Sequence, residues 1–393
     1  MTHKKQIVLD FYSCYNLGDD LFVETFAKHF SDCEIHLLVN PKCVPQKLPD
    51  NVRILHFSHV DLRLRRISNL ASHRGRQKMV HIVEHVRQRR LKHIASGCDA
   101  FVKIGGSIFM QHAPGCQEID FSTEEKPDFS PGRCTGGRGN RFIIGANLGP
   151  VYSEDYWEQI DEEFRNYRHV CLRDYASYRK MCTAPNVQYA PDVLFLIPKP
   201  YAGEVGENVA ISVMDVSQNT QDEAVAQAYY DLLERVIAYF LGREIPVTLM
   251  SFCQWQGDEK AVQTLLNRFP GEKRLYSCCY RGSARNCLRV LSGASFVIGT
   301  RFHSTILGIS FGKPVFPIIY NSKTAHYLAD LSFPGKSATL EELPSVTLED
   351  VLYNYESNII ADCTDHHRYA VNQFSGLESY LNEKESAIES SIV

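Results

Sequence analysis

The sequence predicts an α/β protein of two Rossmann-like, doubly wound domains facing a cleft. Three observations support this. Strand-like and helix-like stretches alternate from residue 7 to residue 319. The strand-like runs are short and continuously apolar, as strands of a parallel sheet covered on both faces must be. A break rich in proline and glycine (Pro198, Pro200, Gly203, Gly206) divides the alternation into two halves. The chain has 393 residues, and about 100–200 residues per domain also argues for two. We assign residues 1–200 to an N-terminal domain, 205–375 to a C-terminal domain, and 376–393 to a C-terminal tail.

In the first half, residues 7–11 read as the opening strand. Residues 18–20 turn, and 21–30 carry Leu21, Phe22, Phe26 and Phe30 at helical spacing. Strands are expected at 34–39 and 52–57, and a helix over 61–95 with ten Lys or Arg against two acids. A strand at 100–104 ends in Gly105-Gly106. Residues 112–140 read as a long loop rich in glycine, proline and polar groups. Strands at 141–146 and 169–173, helices near 154–166 and 176–181, and a strand at 193–196 close this half. The second half is expected to hold strands at 209–214, 245–250, 296–299 and 315–319. Its helices are expected at 222–240, 258–268 and 303–311. Ligands of such sheets bind beyond the carboxyl ends of the strands.

Bulk composition excludes several classes. The hydrophobic fraction is 44%, the charged fraction 22% and the net charge −4, values of a soluble globular protein with no general affinity for nucleic acid. Thirteen cysteines are scattered without a C-x-x-C pair, and their odd number forbids complete internal pairing. Reduced thiols in a cytoplasm are the expectation. The N-terminal apolar run is too short for a signal peptide, and no stretch approaches the length of a membrane span.

Four motifs sit where chemistry is expected. Asn16-Leu17-Gly18-Asp19-Asp20 follows the first strand and opens a helix, a place that attracts anions. The competing reading is that Asp19 only caps that helix. Lys103-Ile104-Gly105-Gly106-Ser107 ends another strand; it either admits a ligand or makes a tight turn. Arg173, leaving an apolar strand, can bind a carboxylate or phosphate, or merely pair with Asp174 or a helix end. Gly299-Thr300-Arg301-Phe302-His303-Ser304 is the strongest. A buried strand ends there and presents an arginine, a histidine titrating near neutrality and a serine at a helix start. Lys323, three residues after Tyr320, could reach the same cleft or stay solvated.

His81-Ile82-Val83-Glu84-His85 has the H-x-x-E-H spacing of some zinc hydrolases. It lies in the strongly basic stretch, where a dication is poorly placed, so no metal is expected. That stretch reads either as a solvated face or as a surface for anionic lipid headgroups or a polyphosphate-linked molecule.

Taken together and in order, these motifs resemble the polysaccharide pyruvyl transferase family over about residues 7–330. The resemblance rests on Asn16-Leu17-Gly18-Asp19-Asp20, Gly105-Gly106-Ser107, Arg173-Asp174-Tyr175-Ala176-Ser177, Pro191-Asp192-Val193, Arg301-Phe302-His303-Ser304, Gly312-Lys313-Pro314 and Tyr320-Asn321-Ser322-Lys323. It implies a GT-B-like fold and a reaction that moves the enolpyruvyl group of phosphoenolpyruvate onto two hydroxyls of a sugar. It implies no cofactor beyond phosphoenolpyruvate as co-substrate. By analogy, Arg173, Arg301, Phe302, Ser304 and Lys323 would hold phosphoenolpyruvate and His303 would be the general acid. Asn16, Gly18, Asp19, Gly105 and Gly106 would line acceptor or helix-start loops. Expected partners are phosphoenolpyruvate and a sugar acceptor, free or lipid-linked; whether the chain forms a homo-oligomer is left open. The expected place is the cytoplasm, with peripheral contact at the inner membrane face through residues 61–95. The alternative is a GT-B glycosyltransferase with a nucleotide-sugar donor, for which Asp330 or Glu341 could bind ribose.

Overall fold

The computed structural model describes residues 4–39, 43–45, 47–56, 93, 97–111, 138–198, 208–218, 220 and 222–392. The first half builds β1 (Gln6–Asp10), α1 (Leu17–His29), β2 (Glu34–Val39), β3 (Val52–His56), β4 (Ala100–Ile104), β5 (Arg141–Ala146), α2 (Glu154–Phe164), β6 (His169–Leu172), α3 (Tyr175–Met181) and β7 (Val187–Tyr189). Their strands form one parallel sheet in the order β3-β2-β1-β4-β5-β6-β7. The second half builds β8 (Val209–Ser212), α4 (Glu223–Leu241), β9 (Val247–Ser251), α5 (Asp258–Arg268), β10 (Leu275–Cys279), α6 (Arg285–Gly293), β11 (Phe296–Gly299), α7 (Phe302–Ser310), β12 (Val315–Ile319), α8 (Ser322–Asp330) and β13 (Ala338–Thr339). The second sheet is parallel in the order β10-β9-β8-β11-β12-β13. The predicted two-sheet α/β class is therefore the observed one.

The central strands are buried on both faces, which is why they read as unbroken apolar runs: Ile7, Val8, Leu9 in β1 and Phe296, Val297, Ile298 in β11. In each sheet the chain turns to opposite sides after the first strand. β1 lies between β2 and β4, with Ile7 opposite both Ile35 and Ala100. β8 lies between β9 and β11, with Val209 opposite both Val247 and Phe296. Loops diverge at such a switch point and leave a crevice at the carboxyl ends. The two crevices face each other. Leu17 N–H donates to the Phe252 carbonyl at 3.0 Å, and a backbone bridge joins Asn16 to Cys253.

One hydrophobic core runs through both halves. Leu17, Phe22 and Phe26 of α1 share it with Phe302 and Ile306 of α7. After α9 (Leu348–Glu356) and α10 (Thr364–Tyr369), the chain returns to the first sheet through α11 (Ser375–Ile392). Gln373 accepts from Gly145 N–H at 2.9 Å and donates to the Ala190 carbonyl at 2.6 Å.

The structure corrects several sequence expectations. Residues Val193–Leu196 are not a strand but a short 3-10 turn, opened by Asp192 accepting from Leu194 N–H at 2.9 Å. A four-residue apolar run carries no periodicity to separate the two. β7, β10, β13, α6 and α8 to α11 were not anticipated. β10 exposes Tyr276 and Ser277 at the sheet edge, so it lacks the apolar run of a central strand. The basic stretch 61–95, with His81, Glu84 and His85, lies outside the described residues except for His93, as does the loop 112–140 except for its last three residues. Among the described residues no cluster of acids, histidines or cysteines is suited to a metal, and no helix is long and apolar enough to cross a membrane.

Candidate active site

The site forms where the loop after β1 meets the start of α7. Asn16 caps α1, its side chain accepting from Gly18 N–H at 3.1 Å. Capping is thus the work of Asn16 and not of Asp19. Gly18 is glycine because the His303 ring lies against its Cα; a Cβ there would overlap the imidazole. Gly106 is small for the same reason, since a Cβ would overlap the Arg173 guanidinium. Gly105 adopts φ +140°, which a side chain would strain. Residues 16–18, 105–106, 173 and 303, far apart in sequence, are thereby in contact.

Arg173 is 1% exposed. Its Nη1 donates to Asp192 Oδ2 at 2.9 Å and its Nη2 to Asn147 Oδ1 at 2.7 Å. Nη1 lies 3.3 Å from His303 Nε2, and the guanidinium sits 4.3 Å above the Phe302 ring. The expected alternative pairing with Asp174 does not occur: Asp174 caps α3, accepting from Ser177 N–H at 2.8 Å. Arg301 is also buried. Its Nε donates to both Asp258 oxygens at 3.1 Å, its Nη2 pairs with Asp258 and its Nη1 with Gln256. Asp258 also accepts from the N–H groups of Phe252 and Cys253. Burial alone would lower the Arg301 pKa, but Asp258 more than restores it and holds the guanidinium charged.

Lys323 differs from both arginines. Its Nζ donates to Ser107 Oγ at 3.1 Å and stands 5.7 Å from the Phe302 ring centroid, without a carboxylate partner among the described residues. Burial would raise the Tyr320 phenol, yet the Lys323 and Arg301 charges outweigh it and leave its pKa lowered. Ser304 is buried, and its hydroxyl donates to the Arg301 carbonyl at 2.6 Å. Asp330 is occupied at the domain contact, accepting from Tyr175 N–H at 2.8 Å, and Glu341 is exposed.

Electrostatics set the protonation states. Burial, then the charges of Arg173, Lys323 and Arg301, push the His303 pKa well below its ordinary value. The sequence expectation of a histidine titrating near neutrality is therefore corrected: the resting ring is neutral. Asp19, 8% exposed, moves the other way. Burial raises it to about 7, with Arg173 and Lys323 opposing and Asp192 adding. Asp20 is raised by burial to about 8, against the hydrogen bond it accepts from the Tyr280 hydroxyl across the domain boundary.

A cluster of cations around a neutral imidazole, enclosed between two switch points, is built to receive a small polyanion and manage a proton beside it. The profile of the polysaccharide pyruvyl transferase family matches residues 16–322, from the cap of α1 to the start of α8. The chain belongs to the polysaccharide pyruvyl transferase family. It is 24% identical over 291 residues to the amylovoran biosynthesis protein AmsJ of Erwinia amylovora, the match covering 66% of each chain, just under two thirds. The fold is shared with a UDP-forming trehalose-phosphate synthase from Burkholderia xenovorans (10% identity, TM-score 0.51, 97% of this chain and 99% of that one). It is also shared with the UDP-GlcNAc 2-epimerase of Methanocaldococcus jannaschii (8% identity, TM-score 0.52, 93% and 98%). The GT-B-like architecture implied by the family resemblance is thus the observed one.

Sequence reading of this pyruvyl transferase family member missed the residues that hold the site. Asn147, Gln256 and Asp258 were not singled out, and Asp192 was noted only as part of Pro191-Asp192-Val193. For Asn147 a signal existed, a polar residue at the carboxyl end of the apolar β5. Asp258 looks like an ordinary helix-start acid; only the fold brings Arg301 to it.

Proposed function

We propose that the chain transfers the enolpyruvyl group of phosphoenolpyruvate onto two hydroxyls of a sugar in a surface polysaccharide or its precursor, closing a pyruvate ketal and releasing phosphate. The observation that carries this reading is His303 set among Arg173, Arg301 and Lys323, of which Lys323 alone has no carboxylate partner among the described residues. The family and the amylovoran biosynthesis named for AmsJ support the substrate class. Phosphoenolpyruvate is made in the cytoplasm, which is where we place the step.

The chemistry follows from the residues. Lys323 and the spare N–H groups of Arg173 and Arg301 bind the carboxylate and phosphate. Phe302 fixes both Arg173 and Lys323 by its ring face. The arriving anion competes with His303 Nε2 for the Arg173 N–H and offsets the neighbouring cations. Both effects raise the His303 pKa, so the imidazole takes up a proton and delivers it to the methylene carbon. One sugar hydroxyl then bonds to the oxocarbenium-like carbon, and a second displaces phosphate. The reaction requires no metal and no covalent enzyme intermediate.

The test is calorimetric titration of the full chain with phosphoenolpyruvate, beside UDP and a Lys323→Met variant. Saturable phosphoenolpyruvate binding weakened tenfold or more in the variant is expected. Phosphate release would then be screened against a panel of p-nitrophenyl hexosides. Binding of UDP but not phosphoenolpyruvate would assign the chain to a nucleotide-sugar donor instead. Lys323 is preferred to Arg301 for this test. Removing Arg301 leaves Asp258 buried and unpaired, at a typical cost of about 3–5 kcal/mol in stability.

A further inference from the structure

Every other buried carboxyl around the site has a partner. Asp192 accepts from Arg173, Asp258 from Arg301, Asp174 from Ser177 and Asp20 from Tyr280. Asp19 does not. It is 8% exposed, and among the described residues no cation pairs with its carboxyl and no hydrogen bond reaches it. Its oxygens are not fully enclosed, so this unpaired carboxyl stays open to a group that enters the cleft. Its position says which ligand. Asp19 lies in the first turn of α1, one residue from the glycine against which the His303 ring rests. Its Oδ1 is 3.5 Å from where a Cβ of Gly105 would stand. Arg173 from the end of β6 and Lys323 from α8 act on it as cations, while Asp192 after β7 acts as an anion. Asp20 is its neighbour on α1.

We propose that Asp19 is a second catalytic group of this site, the base that takes the proton of the attacking sugar hydroxyl and returns it to the departing phosphate. The proposal rests on the phosphoenolpyruvate reading above. The protons then balance. In the addition, the sugar O–H proton passes to ionised Asp19, the oxygen bonds to the central carbon, and His303 gives its proton to the methylene, which becomes methyl. In the closure, Asp19 gives its proton to the bridging phosphate oxygen as the carbon–oxygen bond to phosphate breaks. The second hydroxyl bonds to the same carbon and its proton passes to His303. Both groups end in the states in which the addition began, His303 protonated and Asp19 ionised, so the two chemical steps need no external acid or base. A carboxyl raised to about 7 holds both forms near neutral pH, as a group that takes a proton and returns it must.

The test uses full-length wild type, Asp19→Asn and Asp19→Glu, with phosphoenolpyruvate titrations from pH 6 to 8 and phosphate release on the hexoside that wild type accepts. Expected for Asp19→Asn is wild-type melting, phosphoenolpyruvate binding equal to wild type at pH 6, and phosphate release lowered about 10²–10⁴-fold. Ionised Asp19 repels the anion, so wild-type affinity should weaken more than that of Asp19→Asn as pH rises through about 7. A side chain with a merely structural role would not move that difference. Asp19→Glu should recover part of the rate. Asp19→Asn turning over like wild type, or losing phosphoenolpyruvate binding at pH 6, overturns the proposal while leaving the donor assignment standing. Wild type that binds no phosphoenolpyruvate at any pH overturns the donor assignment and this role with it.

Discussion

At the scale of single residues, charge and burial decide what the site can do. His303 and Arg173 were legible in the sequence because each leaves the end of an apolar strand, where a polar side chain is conspicuous. Their states were not legible. The imidazole is neutral at rest because three cations from three elements and its own burial disfavour a further charge. An anion placed among those cations reverses the balance. Phosphoenolpyruvate binding should therefore take up protons, read as a dependence of the binding enthalpy on buffer ionisation enthalpy. His303→Ala should shrink that uptake, keep binding, and lower turnover about 10²–10⁴-fold. Normal turnover in this variant would remove His303 from the mechanism.

At the scale of elements, glycines let helices and side chains approach. α1 can start beside His303 only because residue 18 has no Cβ. Gly18→Ala should displace the ring or the first turn of α1, lowering turnover at least tenfold. Asn16 still caps the helix, so the melting temperature should change little. A Gly18→Ala enzyme with wild-type turnover would mean that the ring tolerates another position. The sequence marked this helix start correctly but left open what Asp19 did there; the Asn16 cap, seen in its hydrogen bond to Gly18, closes that question. Short edge elements were harder to read. β10 and β13 bury too few side chains to leave an apolar run, and the turn Val193–Leu196 is held by tertiary contacts with α1 and α7 rather than by periodicity.

At the scale of the molecule, the last helix ties the C-terminal segment to the first sheet. Leu377, Tyr380 and Leu381 of α11 are buried in the shared core, and Lys5 donates to the Leu381 carbonyl at 2.8 Å. At about 2 kcal/mol for each buried large side chain, removing residues 375–393 should cost several kcal/mol. A melting temperature lowered by ten degrees or more is expected, and an unchanged one would show that α11 contributes nothing to stability. The sequence by itself determined the α/β class, the two-part alternation and the placing of the Gly18, Gly105-Gly106, Arg173 and Arg301-Phe302-His303 motifs at strand ends. These follow from local periodicity and from residue types that only certain backbone positions accept. The tertiary structure alone decided that Arg173 pairs with Asp192 and Arg301 with Asp258, and that among the described residues Lys323 has no acidic partner and buried Asp19 no basic one. Coulomb energy and desolvation depend on distance in space and on depth, and no spacing along the chain encodes either.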